Sequence, residues 1–142
     1  MDVSYSYEHS TDASAPPESV WGLWSDVTTW PQWDGTVEQV DLSGSFEVGA
    51  EGTMKFHGQP PLPFRLSEVT PQRGFVVETS VPDGVIRFGH RIDAAPEGGV
   101  SITHYVEIEG PEAFASHLGP MIAADIPQAM GKLARLAEKE KG

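Results

Sequence analysis

His90 and His104 are the residues of this sequence best suited to chemistry. They sit in the alternating runs RFGHRID and SITHYVE, where a period of two puts each on the same side as Phe88, Ile92, Ile102 and Val106. An imidazole titrates near neutral pH, so a histidine on an apolar face can hydrogen-bond a ligand or move a proton either way. Two other arrangements suit the same pattern. The imidazoles can bond each other or trapped water, or they can ligate a metal, although no third ligand is evident at that depth.

Four tryptophans form the second constellation. All lie in SVWGLWSDVTTWPQWDG, residues 19–35, as Trp21, Trp24, Trp30 and Trp33. Val20, Leu23, Trp24 and Val27 recur at helical spacing, so Trp24 reads as core and Trp21 as the edge of that stripe. Pro31 and Gly35 interrupt the helix, which leaves Trp30 and Trp33 on a non-helical segment fit to line a cavity or its mouth.

The elements that must hold these groups follow from patterning. VSYSYEH (3–9) alternates as a first strand, and ASAPPESVW opens a helix with prolines at its entry and Glu18 in its first turn. Six strands follow, broken by Gly, Pro and Asp: 37–42, 52–57, 62–69, 75–81, 85–94 and 100–109. From Glu112 to Lys141 the period becomes helical, with Phe114, Leu118, Met121, Ile122, Ile126, Met130, Leu133 and Ala137 on one stripe and Pro120 and Pro127 set to bend it or start its segments. One apolar sheet face and one apolar helix stripe imply an α+β domain over 1–142, a curved antiparallel sheet wrapped around the C-terminal helix.

Asp83-Gly84 reads as a two-residue hairpin turn, which predicts Val81 opposite Ile86, Thr79 opposite Phe88, Val77 opposite His90 and Phe75 opposite Ile92. The turn around Pro96-Glu97-Gly98 predicts Ile92 opposite Ile102 and His90 opposite His104, about 5 Å apart at Cβ. Arg87 then faces Glu107, and Tyr105 covers Gly89, on the outer face with Glu78 and Arg91. A ligand held between sheet and helix would meet Phe56, Phe64, Leu66, Phe75, Val77 and Phe88 from the strands. His90, Ile92, Ile102, His104 and Val106 continue that face. Met121, Ile122, Ile126 and Met130 would meet it from the helix, and Trp30 and Trp33 from the short segment. His57 points outward, while Glu68 and Asp125 can reach the rim.

Composition removes several functions. With no cysteine there is no disulfide and no thiol chemistry, as suits a cytoplasmic protein. A net charge of −12 disfavours nucleic acid and anionic lipid. No apolar run approaches the ~20 residues of a membrane span, and MDVSYSYEHSTD has no signal-peptide pattern. GSFEVGAEG lacks the helix and lysine of a phosphate loop, and no serine sits in a nucleophile elbow. We therefore expect no cofactor and no metal, and a monomer or homodimer.

The ordered set A-PPESVW-x2-WSD-x3-WPQW, FEVGAEGT, VTPQR, GGVSITHYVEIEGP, LGP and KLARLAEKE resembles the polyketide cyclase/dehydrase family of the START-like (SRPBCC) superfamily across essentially the whole chain. Val20, Trp21, Asp26, Trp30, Pro31, Trp33, Gly49 and Gly52 match its pattern. The resemblance implies a helix-grip fold: seven antiparallel strands, two short helices after the first strand, and an apolar cavity under the long helix. It implies binding or transport of a hydrophobic, aromatic or polyketide-like small molecule. The alternative is a cyclase, aromatase or dehydratase using His90 or His104 as general acid/base. Cyclase members resembling this chain generally hold ketone oxygens with a cavity arginine, whereas Arg65, Arg87 and Arg91 here fall on the outward phase. A protein-binding module like the superfamily's chaperone activators would need an exposed apolar patch, which the acidic outer face does not offer.

Overall fold

The computed structural model describes residues 3–140. Strand β1 (Val3–Ala13) leads into helix α1 (Pro17–Ser25), a 3-10 turn (Val27–Thr29) and the single-turn helix α2 (Trp30–Trp33). Strands β2 (Val37–Ser43), β3 (Glu51–Phe56), β4 (Leu62–Thr70), β5 (Gly74–Val81), β6 (Gly84–Ala94) and β7 (Val100–Glu109) follow, then helix α3 (Glu112–Glu140). All pairings are antiparallel, and the sheet order is β1-β7-β6-β5-β4-β3-β2. The sheet is therefore a meander closed by β1, which returns beside β7. This is the helix-grip architecture, with α3 packed against β1 and β7.

Two local readings are corrected. Trp30 and Trp33 stand on a helical turn, because Pro31 falls in the first turn of α2, where its missing N–H costs nothing. The β5–β6 pairing is displaced by two residues: Val81 faces Gly84, Thr79 faces Ile86, Val77 faces Phe88 and Phe75 faces His90. The turn is Pro82-Asp83, which proline's fixed φ suits. Gly84 is needed in the ladder instead, since a Cβ there would run into the Glu109 carbonyl. A shift of two preserves facing, so the inward set is unchanged.

The β6–β7 register matches its expectation, with His90 opposite His104, Arg87 opposite Glu107 and Gly89 opposite Tyr105. The tyrosine ring occupies the space a Gly89 side chain would take. The ion pairs of Arg87 go elsewhere, to Glu109 and to Glu78 at 3.0 Å, and Arg65 joins Glu78 at 3.1 Å. Glu78 lies directly opposite both arginines on β5, and the long guanidinium of Arg87 reaches past Glu107 to its diagonal neighbour Glu109.

Helix α3 is continuous through Pro120 and Pro127. Its C-terminal half is sealed, with Met130, Leu133 and Ala137 fully buried. At Gly119 the helix lies directly on Tyr5 of β1, where an added Cβ would come within 2.5 Å of the ring. Gly to Ala in a helix normally gains up to about 1 kcal/mol. Here the overlap reverses the sign, and Gly119→Ala is expected to cost about 1–3 kcal/mol in denaturant unfolding. A stabilised variant would contradict this contact.

Candidate ligand cavity

Between the concave sheet face and the N-terminal half of α3 lies a cavity of about 660 Å3. Leu118, Ile122 and Ile126 line it from the helix, Trp30 and Trp33 from α2, and Met54, Val77, Thr79 and Ile86 from the sheet. Its rim carries exposed side chains, among them His57, Gln59, Met121 and Asp125. His57 turns outward to Glu38 at 3.4 Å.

Of the residues expected to line it, Trp30, Trp33, Phe56, Val77, Phe88, His90, His104, Met121, Ile122 and Ile126 do. Phe64, Leu66, Phe75, Ile92, Ile102, Val106 and Met130 do not; all are at most 4% exposed and belong to the core. For Phe64 and Phe75 the reason is the tryptophan segment, whereas Val106 packs with Ile108 and Ala115 in a separate cluster. Trp24 packs on Phe75 at 5.4 Å between ring centres, Trp21 on Phe75 at 6.4 Å, and Trp30 on Phe64 at 6.3 Å. These rings plug one end of the concave face and leave the cavity at the other. Trp24 is completely buried and Trp21 half-buried at its edge.

The histidines meet at the inner wall of this cavity. Their ring centres are 4.6 Å apart in a T-shaped arrangement, and His90 stacks flat on Phe75 at 3.9 Å. Nδ1 of His90 lies 3.3 Å from the Phe75 carbonyl, so that nitrogen carries the proton and Nε2 the lone pair. Burial lowers the His90 pKa to about 3, against which the Phe75 bond is a smaller raising influence. Burial also holds His104 well below the ordinary range, helped by His90 and by His9. His9 faces His104 across the β1–β7 ladder. Both inner histidines are thus neutral at pH 7. Among the described residues, no group of three or more His, Asp or Glu is placed to hold a metal ion.

Asp34 is the site residue that pattern reading missed. It lines the cavity beside Trp33, and its Oδ1 accepts from the Thr36 backbone N–H at 3.0 Å and hydroxyl at 2.6 Å. Burial raises its pKa above the ordinary value; the Thr36 bonds pull it back, nearby Asp125 raises it, and Lys132 lowers it. The DGT sequence reads as an ordinary turn, and only the fold brings it against α3. Asp125 reaches the cavity, whereas Glu68 does not and acts on Tyr105. Phe114 and Leu118, already on the helical stripe, also line the cavity. Among the described residues no lysine or arginine lines it.

Residues 4–138 match the family described as polyketide cyclase / dehydrase and lipid transport. No curated protein sequence matches the chain. Among solved structures, protein MLL2253 from Mesorhizobium loti is similar at a TM-score of 0.77 and 16% identity, covering 95% of this chain and 98% of that one. Norcoclaurine synthase from Thalictrum flavum is similar at 0.72 and 15% identity, covering 93% and 85%. DynU16, a protein in the dynemicin biosynthetic locus, is similar at 0.71 and 19% identity, covering 96% of this chain and 48% of that one, so this chain spans about half its length. At these identities the likeness is one of fold.

Proposed function

This chain belongs to the polyketide cyclase/dehydrase and lipid-transport family, and from that premise we propose that it binds a hydrophobic, ring-bearing small molecule between its sheet and α3. The observation that carries the reading is the cavity of about 660 Å3, apolar in most of its wall with a few convergent polar groups. That volume and lining suit a drug-sized ligand. The half-buried stripe Leu118, Ile122 and Ile126 is left for the ligand to cover.

Acid–base turnover by His90 or His104 is the competing reading. A general acid must carry a proton at working pH and a general base works best with a pKa near it, and burial lowers His90 to about 3, which leaves a neutral imidazole of weak basicity. Binding, with or without carriage to a partner enzyme, is favoured on that ground.

The test is titration with the uncharged fluorescent probe N-phenyl-1-naphthylamine, alongside native mass spectrometry for a co-purified ligand. Saturable one-site binding is expected. Ile122→Trp, which pushes an indole into the cavity, is expected to weaken it by roughly tenfold or more. Absence of saturable binding by the unaltered protein would overturn the reading.

A further inference from the structure

The side chains of the inner cavity wall have spent their hydrogen-bond donors. Thr79 donates its hydroxyl to the Pro63 carbonyl at 2.6 Å, and Thr36 donates to Asp34 at 2.6 Å. Nε1 of Trp33 and Nε2 of His104 are sealed in the packing, where nothing in the cavity reaches them. His90 directs its Nδ1–H to the Phe75 carbonyl, which leaves the Nε2 lone pair. His90 is buried deeply enough to lose its hydration, yet it lines the cavity and its Nε2 is unpartnered without being sealed. A lone pair in that position calls for a donor from whatever fills the cavity.

The charge of the wall points the same way. Asp34 and Asp125 line the cavity, and among the described residues no lysine or arginine does. Neither acid is ion-paired among the described residues. Lys132 lowers the Asp34 pKa from a distance, but burial outweighs it. Both Thr36 bonds go to Oδ1 of Asp34, which leaves Oδ2 unpartnered and, like Nε2 of His90, not sealed. A partly desolvated carboxylate without a cation is costly, and a charge-assisted bond from a ligand relieves that cost. A carboxylate ligand would lose its own water and meet only acceptors and like charge.

We propose that the cavity selects an organic cation, a ring compound bearing an ammonium group, with the ring on the apolar wall and the ammonium on Asp34 and Asp125, and that it rejects fatty-acid-like anions. Nε2 of His90 takes any further N–H or O–H that the ligand carries deeper into the cavity. This rests on the cavity being a ligand site. The acidic pair and the imidazole lone pair are separate observations, on α3, the α2–β2 turn and β6, and both ask the ligand to donate.

Displacement of N-phenyl-1-naphthylamine at pH 7.5 tests it with probes of nearly equal shape: 1-(2-naphthyl)ethylammonium, the alcohol 1-(2-naphthyl)ethanol, the hydrocarbon 2-isopropylnaphthalene and the anion 2-naphthoate. Reading displacement separates entry into the cavity from adsorption of a cation on the acidic surface. The ammonium is expected to bind roughly tenfold tighter than the alcohol, and the carboxylate to bind weakest. Raising salt from about 0.02 to 0.5 M should weaken the ammonium and leave the alcohol unchanged. Asp34→Asn keeps an oxygen for the Thr36 bonds and removes the charge, so it should erase most of the ammonium's advantage while the hydrocarbon's Kd holds. Equal binding of ammonium and alcohol, tightest binding of the carboxylate, or displacement by none of the four overturns the inference and leaves the cavity standing. Failure of N-phenyl-1-naphthylamine itself to bind overturns both. The four-probe comparison on the unaltered protein decides the matter even where the variant fails to fold.

Discussion

Lowering the pH from 7 to 4.5 is expected to remove about 3 kcal/mol of folding stability through His90 alone, with His104 adding in the same direction. Free histidine titrates near 6.5, and His90 in the fold is lowered to about 3. Above 6.5 both folded and unfolded states are neutral there, and the residue contributes no pH dependence. Below 6.5 the unfolded chain takes up a proton that the folded protein refuses, so the unfolded state gains. The loss begins at the unfolded value and is complete only near the folded one. The slope is about 1.4 kcal/mol per pH unit for each such histidine.

One carboxyl group partly offsets this slope. Asp34 acts with the opposite sign, because a carboxyl raised by burial favours the folded state as acid is added. Burial would also raise Glu78, but the bonds from Arg65 and Arg87 outweigh it and hold the carboxyl below its ordinary value. Its protonation belongs to pH below about 4.5. Urea unfolding at half-unit steps from pH 7.5 to 4.5 measures the slope. His90→Phe keeps the stacking on Phe75 and removes the proton site, so its profile should be flatter by about one proton. A level profile between pH 6.5 and 5 in the unaltered protein would show that solvent reaches these imidazoles.

Trp24→Ala is expected to cost about 3–5 kcal/mol, the largest loss from a single substitution in this chain. The indole is fully buried and meets Phe75, His90 at 5.6 Å and His104 at 5.8 Å. Trp21→Ala should cost markedly less, because Trp21 is half-buried and packs edge-on against Phe46 and Phe75. The two losses follow from burial rather than from residue type, and parallel denaturant unfolding compares them directly. Truncating Trp24 also opens a void beside both histidines. Water entering there would restore their hydration, so the acid slope of Trp24→Ala should be shallower than that of the unaltered protein. That coupling between a core residue and a titration is measurable as non-additivity with His90→Phe. Independent effects would mean that the void stays dry.

The same segment shows where reading the chain reached its limit. Alternation alone placed all seven strands within a few residues. The pairing of His90 with His104 followed from counting out from the Pro96-Glu97-Gly98 turn. The β5–β6 count slipped by two because Gly84 is also what close approach to the Glu109 carbonyl requires, and a local rule cannot tell the two uses apart. The inward face survived because facing depends only on odd and even. Inward facing then identified ten lining residues together with seven that are core. For Phe64 and Phe75 the difference lies in which side chains from α1 and α2 cover them, and for Val106 in packing with Ala115 of α3, and those are long-range facts.

Sequence by itself determined the sheet, the long helix, the shared face of the two histidines and the outward phase of the arginines, because each depends on period, parity or turn chemistry within a few residues. Tertiary structure alone decided which end of the concave face stays open, that Asp34 comes within the electrostatic influence of Asp125 there, and that Nε1 of Trp33 and Nε2 of His104 have no hydrogen-bond partner among the described residues. Each of those depends on elements far apart in the chain arriving at one place, with burial setting the electrostatics once they meet.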